Sequence, residues 1–167
     1  MSSIKTVILA LACTVGWQPS LATAGILGPA RASQVVTLRT SGAACSVLTG
    51  ASLIDESHTP AGTIVPYAGP PAKQVLVITS VEFETSGTPG SVLRLVLLRV
   101  ASGGGSTSAV TSILRTVESS GALSVTVEMG NGVIVQPGTQ LCSCASGAAG
   151  CNGDAQATIH GYFAPDK

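Results

Sequence analysis

Cysteine is the residue type whose spacing in this sequence most clearly indicates chemistry. Cys142, Cys144 and Cys151 lie within a span of ten residues, CSCASGAAGC, and the chain has five cysteines in all. Such thiols can bind a metal, exchange electrons or form structural disulfide bonds. A zinc site made of four cysteines usually uses C-x2-C pairs. Here the close pair is C-x-C, and the other half of such a site would contain only the isolated Cys45. A C-x-x-C redox motif is absent.

The N-terminus decides between these alternatives, because it indicates the compartment. Lys5 precedes an apolar run from Thr6 to Val15, and the small residues Ala22 and Ala24 follow in a small-x-small pattern. This order predicts a secretory signal peptide over residues 1–24. Cleavage there removes Cys13 and leaves four cysteines, an even number in an exported chain. We therefore predict disulfide bonds at Cys45, Cys142, Cys144 and Cys151, with a metal site or free thiols as less favoured alternatives.

Four cysteines allow three pairings, and strand geometry disfavours one of them. Cys142 and Cys144 are two residues apart, about 6.5–7 Å in a strand, which is near or beyond the limit for a bridge. Cys45 then pairs with either Cys142 or Cys144. The six small residues between Cys144 and Cys151 close easily into a loop, which favours Cys144–Cys151 with Cys45–Cys142. We expect Cys45→Ala to lower thermal stability more than Cys151→Ala does, because Cys45 closes the much longer loop.

Histidines and carboxylates are the other residues that could do chemistry. His58 lies in Asp55-Glu56-Ser57-His58, a polar cluster with two carboxylates and an imidazole, the usual ligand types of metal and general-base sites. A solvated loop is the commoner environment for such a cluster, and we predict one here. His160 is expected to be a partly exposed residue of the last strand. Glu82 and Glu84 share one face of a strand, and we predict a solvated sheet edge for them.

Established catalytic motifs do not occur in the sequence. His-Glu-x-x-His, Gly-x-Ser-x-Gly, the phosphate-binding loop and the EF-hand are all absent. We therefore predict no catalytic residue, no cofactor and no metal ion. Carbohydrate-binding modules usually present several aromatic side chains, whereas Tyr67, Phe83, Tyr162 and Phe163 are the aromatic residues that follow the signal peptide.

The elements that would position these residues are strands. Charged residues make up 10% of the chain, against an average of about 25%, and glycine, serine, threonine, alanine and valine are abundant. Ala122–Met129 alternates apolar and polar residues, as a half-buried strand does. Ile113–Glu118 reads as a second strand, joined to it by a hairpin turn at Ser119–Gly121. Ser91–Val100 is apolar on both faces, which predicts a strand covered on both sides. Ala51–Lys73 is rich in proline and glycine, and we predict a loop.

These patterns predict an all-β fold of about eight to ten short strands, a two-sheet sandwich with jelly-roll or Greek-key connections. Its two C-terminal strand segments, Gly132–Leu141 and Ala157–Phe163, resemble the last two strands of uncharacterised secreted bacterial proteins. Those proteins combine a V-x-P-G-x-x-L strand with a closing V-x-G-Y-hydrophobic strand in a jelly-roll-like β-sandwich. The resemblance implies the fold, and it brings no activity and no site residues.

After the signal peptide we predict a short linker over residues 25–33 and one β-sandwich domain over 34–167. Without Lys5 the chain has seven basic and eight acidic residues, so we expect no nucleic-acid partner. No second long apolar segment follows the signal peptide, so we expect no membrane span. The predicted localisation is secreted: periplasmic, extracellular or at the cell surface.

The predicted function is that of a non-enzymatic extracellular or cell-surface module. It would act by packing, self-association or binding of a ligand or partner, with a homo-oligomer expected because so few charges keep copies apart. The alternative is a small secreted hydrolase or carbohydrate-binding protein with its site near the 55–58 loop. A concave pocket that gathers His58, His160 and a carboxylate would favour this alternative.

Overall fold

The computed structural model describes residues 29, 34–45, 48–101, 106–146, 151 and 153–166. Within them, nine antiparallel strands form one sheet that is nearly closed into a barrel, which confirms the all-β prediction. The strands are β1 (Val35–Ala44), β2 (Ser52–His58), β3 (Ile64–Pro66), β4 (Gln74–Ser86), β5 (Val92–Ala101), β6 (Thr107–Thr116), β7 (Ala122–Val135), β8 (Thr139–Ser146) and β9 (Gln156–Pro165).

Two predictions fall on parts of the chain that are not described. The signal peptide at 1–24 lies outside the described residues, and so does the 25–33 linker apart from Pro29. In the described ranges, no helix has the length and apolar character that crossing a membrane requires.

The core lies on the inner face of the sheet, where alternate residues of most strands are apolar. β9 places Ala157 and Ile159 inward, both almost fully buried, while Thr158 and His160 between and after them face outward. β1 follows the same rule with Val36 and Leu38. This two-residue period is what an extended backbone imposes on side-chain direction, and it separates a buried inner face from an outer face that is free to carry other groups.

The strands follow the order β6-β5-β8-β2-β1-β9-β4-β7, with β3 paired to β2. β4 pairs with β7 and β5 pairs with β6, and these two strand pairs continue into each other as one two-stranded ribbon. The Gly87 amide donates to the Gly121 carbonyl at 2.9 Å and the Val117 amide to the Ser91 carbonyl at 2.8 Å, so the pairing continues through the corner between the two strand pairs. The corner is made of residues 87–91 and 117–121.

The hairpin predicted at Ser119–Gly121 is wrong. β6 and β7 do not pair, because they lie at opposite ends of the strand order. β6 pairs with β5 and β7 pairs with β4. The short connection at 117–121 is a corner of the ribbon rather than a tight turn between partners, and a sequence pattern alone does not distinguish these two uses of a short glycine-containing turn.

The loop predicted over Ala51–Lys73 is also wrong in part, because this segment contains β2 and β3. β2 has neighbours on both sides, with β1 along one edge and both β8 and β3 along the other. Its sequence, SLIDESH, has little strand propensity. The backbone hydrogen bonds offered by the neighbouring strands therefore decide its conformation, which composition does not reveal.

β5 is buried on both faces at its centre, as its sequence predicts. Leu95 and Leu97 belong to the inner core, while Val96 faces outward and is 6% exposed. A second, smaller apolar cluster covers Val96 on the outer face, made of Cys45, Ala51, Val96, Val100, Cys142 and Cys144. The ends of β5 are less covered, since Val92 is 56% exposed.

The disulfide bonds build this outer cluster. Cys45 is joined to Cys142 with a Cα–Cα distance of 6.0 Å, and Cys144 to Cys151 at 5.5 Å, the pairing that the sequence analysis favours. Cys142 and Cys144 both face outward from β8, opposite Leu98 and Val96 of β5. The first bond joins Cys45, directly after β1, to β8. The second joins β8 to Cys151, which lies two residues before Gly153, and Gly153 forms an isolated β-bridge with Ala145.

The two bonds are expected to differ in their contribution to stability. Cys45 and Cys142 are separated by 97 residues and Cys144 and Cys151 by 7. On the chain-entropy description the long loop contributes about 4–5 kcal/mol and the short one about 2–3 kcal/mol. The double variant Cys45→Ala/Cys142→Ala should therefore have a lower free energy of unfolding than Cys144→Ala/Cys151→Ala, by about 2 kcal/mol in urea titrations. Equal losses, or the reverse order, would contradict this expectation.

Candidate functional site

A β-bulge at Asp55 sets the direction of the polar side chains of β2. Arg39 pairs with Glu56 and the next residue of β1, Thr40, pairs with Ile54, so Asp55 is an extra residue in β2. The Asp55 carboxylate accepts hydrogen bonds from the Ser41 amide at 2.9 Å and from the Ser41 hydroxyl at 2.6 Å. Because one added residue reverses the alternation, Ile54 points into the core while Glu56 and His58 point outward.

The bulge is also held from the opposite side by the backbone of Tyr67, whose amide donates to the Asp55 carbonyl at 2.7 Å. The Tyr67 ring is buried in the core, and its hydroxyl has no hydrogen-bond partner among the described residues. Burial raises the pKa of this phenol. Tyr67 therefore anchors the bulge from within the core and does not reach the outer face.

A second bulge, at Thr79, sets the direction of the side chains in β4. Ile78 pairs with Gly161 and Ser80 pairs with His160, which leaves Thr79 without a partner in β9. The Thr79 hydroxyl donates to the His160 carbonyl at 3.1 Å. Before the bulge the even-numbered residues of β4 face the core, and after it the odd-numbered Val81 and Phe83 do. Glu82 and Glu84 consequently face outward.

The two bulges place polar side chains of four adjacent strands on one outer surface. A shallow groove of about 500 Å³ there is lined by Val35, Thr37, Arg39, His58, Thr59, Pro60, Glu82, Glu84, Thr158 and His160. We call it the polar groove. The strand pairings arrange its residues in two cross-strand rows, His58-Thr37-His160-Ser80 and Glu56-Arg39-Thr158-Glu82.

Hydrogen bonds within the polar groove are few. His58 Nε2 and Glu56 Oε2 are 3.3 Å apart, and Thr37 Oγ1 lies 3.3 Å from His160 Nδ1. Arg39, Glu82 and Glu84 make no side-chain hydrogen bond or ion pair within the described part of the chain. Their charged groups are therefore free to bind a molecule that enters the groove.

The spacing of the groups limits the chemistry of the groove. His58 and His160 are two strands apart, about 10 Å at the usual strand separation, so a small molecule or a peptide lying across the groove can contact both. In the described ranges, no group of three or more histidine, cysteine, aspartate or glutamate residues lies close enough to hold a metal ion. With Glu56 at its rim, the groove carries three carboxylates and one guanidinium.

The structure separates the polar cluster proposed from the sequence. Glu56 and His58 contact each other in the groove, whereas Asp55 turns away to bind Ser41. The cluster lies on strand β2 and not in a loop, so the predicted 55–58 loop is wrong. The strand forms because β1, β3 and β8 pair with the β2 backbone.

The other groove residues come from elsewhere in the chain. His160 is exposed, as expected, and lies at the centre of the polar groove. Glu82 and Glu84 are not at a sheet edge, since β4 lies between β9 and β7. Arg39 was not singled out by its sequence context. Only the register between β1, β2 and β9 brings it beside the others, and no local pattern carries that information.

Comparison with known proteins adds no assignment: no protein-family model matches this chain, and no curated protein is similar enough in sequence to count as a relative. The function must therefore be argued from the groove itself.

Gly161 is the residue that lets β9 and β4 approach at the Thr79 bulge. A Cβ atom built at Gly161 would clash with the Val77 backbone carbonyl, which cannot move aside as a side chain can. Gly161→Ala should lower the free energy of unfolding by about 2–3 kcal/mol and displace His160. The control is Gly130→Ala, where φ is +54° but nothing lies within 4 Å, with an expected loss of about 1 kcal/mol. Equal losses in chemical denaturation would refute the role of close approach.

Proposed function

We propose that this protein is an exported, non-enzymatic binding module, and that its polar groove binds a cationic ligand or the basic segment of a partner. One observation carries the proposal: Arg39, Glu82 and Glu84, from strands far apart in the chain, converge on one groove without protein partners. The fold does not need these charges, because they lie outside the core. Charged groups gathered in a groove and left unpaired are typical of binding sites.

The sign of the charge supports a cationic ligand. Glu56, Glu82 and Glu84 contribute three negative charges and Arg39 one positive charge, so the groove attracts positive groups at neutral pH. The threonines and histidines add hydrogen-bonding groups that can orient amines and hydroxyls. Arg39 can bind a carbonyl or carboxylate of the same ligand.

Export is part of the proposal. The two disulfide bonds are compatible with an oxidising compartment outside the cytosol. The N-terminal sequence pattern at residues 1–24 supports the same conclusion.

We also propose that the strands are connected as a jelly roll. Leaving out the short β3, the eight other strands pair first with last along a folded ribbon. The pairs are β1 with β9, β2 with β8, β4 with β7 and β5 with β6. This scheme of pairing is the one that a jelly roll uses, and it supports the two-sheet reading of the sequence.

A second candidate function is a small secreted hydrolase that uses the same groove. Two observations favour it: the groove gathers His58, His160 and the carboxylates of Glu82 and Glu84, the arrangement that the sequence analysis connects with this alternative, and His58 contacts Glu56. A carboxylate that orients an imidazole is the usual arrangement of a general base. Among the described residues no hydroxyl or thiol group forms a hydrogen bond with His58, and the groove is open to solvent, so it has no enclosed space that would exclude water. Binding is therefore the better-supported function. Turnover of ester and glycoside substrates that is lost in His58→Ala would favour the hydrolase.

Self-association is the remaining element of the proposal, and the edge of β7 supports it. Ala122–Glu128 pairs with β4 in unbroken register, and its other edge has no strand partner in the described sheet. β6, the other edge strand, is interrupted by a bulge at Val110, a feature that protects an edge. If two β7 strands pair about Val125, Glu128 of one copy faces Ala122 of the other, so like charges do not meet.

The groove prediction is tested with spermidine and tetralysine as cationic probes in isothermal titration at low salt. The double variant Glu82→Gln/Glu84→Gln should weaken binding about tenfold, because each exposed charge pair contributes up to about 1 kcal/mol. Arg39→Gln should strengthen binding, because it removes the positive charge of the groove. Glu118→Gln, which removes an exposed carboxylate in the corner at 117–121, serves as the control and should have no effect. A loss as large in this control would show non-specific attraction and would refute the groove as the site.

The β7 edge is tested by light scattering after size-exclusion chromatography. We expect a dimer at micromolar concentration, weakened at least tenfold by Ser124→Lys, which puts a charge on the exposed outer face of the edge strand. Thr88→Lys, in an exposed turn, is the matched control and should leave the dimer intact. A protein that is monomeric at high micromolar concentration would end the proposal of self-association.

A further inference from the structure

A second cavity adjoins the polar groove at the end of the sheet where β1 begins. It has a volume of about 400 Å³, and its lining is mainly apolar: Val35, Val36, Pro60, Ala61 and Phe163. We call it the apolar mouth. Val36 faces the core and Phe163 packs against it, so the mouth opens onto the inner side of the sheet while the polar groove lies on the outer side.

The two cavities adjoin each other around the start of β1. Val35, Thr59 and Pro60 line both of them. Val35 is 43% exposed although it is apolar, because the alternation of β1 turns it outward. It is followed along the same face of β1 by Thr37 and then Arg39. A ligand that lies along β1 would therefore pass from an apolar to a charged environment.

We propose that the apolar mouth and the polar groove form one composite site for an extended peptide segment that carries an apolar side chain and, two to four residues away, a basic one. This inference rests on the proposed function, because it assigns the basic group to the groove. Val35 and Arg39 are four residues apart, about 13 Å along a strand, and Glu82 lies at the level of Arg39 across Thr158. An extended peptide spans this distance when its lysine is two to four residues from its apolar residue, because the long lysine side chain adds to the length of the backbone.

Charge and apolarity together select this occupant. The lining of the mouth has no charged group, so an apolar side chain can enter it without the desolvation cost that a charged side chain would have. The groove beside it carries Glu82 and Glu84 without protein partners. A purely apolar ligand would leave the carboxylates unused, and a purely cationic one would leave the mouth empty.

The experiment titrates the complete exported protein with three capped peptides: acetyl-Leu-Ser-Thr-Lys-amide, its Ala-first analogue and its Gln-last analogue. The Leu-Lys peptide should bind about tenfold more tightly than the Ala-Lys peptide. Leucine has three more carbons than alanine, each worth about fourfold in affinity when buried in full, so burial of about half of the added surface gives this ratio. The Gln-last peptide should bind more weakly than the Leu-Lys peptide and should be insensitive to Glu82→Gln/Glu84→Gln.

Two variants locate the apolar subsite. Ala61→Trp fills the mouth at an exposed position and should abolish the preference for leucine while the Ala-Lys peptide binds as before. Ala43→Trp, at an exposed alanine near the other end of β1 that lines neither cavity, is the matched control and should keep the preference. Should Ala61→Trp fail to fold, Val35→Thr keeps the size of the side chain, removes part of the apolar lining and should reduce the leucine preference several-fold.

The outcomes separate this inference from the proposed function. Equal binding of the Leu-Lys and Ala-Lys peptides, with the effect of Glu82→Gln/Glu84→Gln retained, would overturn the composite site and leave the groove in place. Binding that is independent of the lysine would overturn both. If the N-terminal segment of the same chain occupies the mouth, Ile26→Asp/Leu27→Asp will raise the affinity for the Leu-Lys peptide. That result would overturn the assignment of the mouth to a separate peptide.

Discussion

The alternation of side chains along an extended backbone is the constraint on which this structure depends. Each strand must keep its apolar residues on the inner face of a nearly closed sheet, so every residue between them is directed outward. A single inserted residue reverses this assignment for the rest of the strand. Asp55 in β2 and Thr79 in β4 are two such residues. Through them the same constraint that builds the core also decides which polar groups share the outer surface.

The outer surface is used in two different ways on the two sides of the barrel. Over β5, β8 and β2 it is apolar, and two disulfide bonds hold a cover of chain against it. Over β2, β1, β9 and β4 it carries the polar groove. In the first region the disulfide bonds join Cys45 and Cys151 to β8 and so complete the apolar cluster. In the second region, Arg39, Glu82 and Glu84 make no side-chain hydrogen bond or ion pair with the described residues.

The location of the groove is consistent with a binding role. Its residues project from the centre of a sheet whose strands are paired on both sides, so their backbone positions are fixed. The side chains of Arg39, Glu82 and Glu84 make no hydrogen bond or ion pair with the described residues. The bulges that orient Glu56, His58, Glu82 and Glu84 are each fixed by hydrogen bonds, from Ser41 and Tyr67 to Asp55 and from Thr79 to His160. A groove assembled in this way needs little rearrangement to bind, which limits the entropic cost of association.

Much of the fold is predictable from the sequence because its signals are local. Strict alternation over Ala122–Met129 and apolar residues on both faces of Ser91–Val100 describe strands that the structure contains. The spacing of Cys142, Cys144 and Cys151, with small residues between the last two, favours the disulfide pairing that the structure has. Each of these arguments depends on residues that are neighbours in the chain, and steric and hydrophobic preferences act at that range.

The tertiary structure alone decides which strands pair and in what register. β6 and β7 follow each other in sequence across a short turn, yet each pairs with a strand of the preceding half of the ribbon. The assignment of Asp55–His58 to a strand, the two bulges, and the meeting of Arg39 with His58, His160 and Glu82 all depend on that register. Register is determined by backbone hydrogen bonds between segments that, for β1 and β9, lie more than a hundred residues apart. Since every residue offers the same backbone groups, the local sequence does not specify which ones will meet.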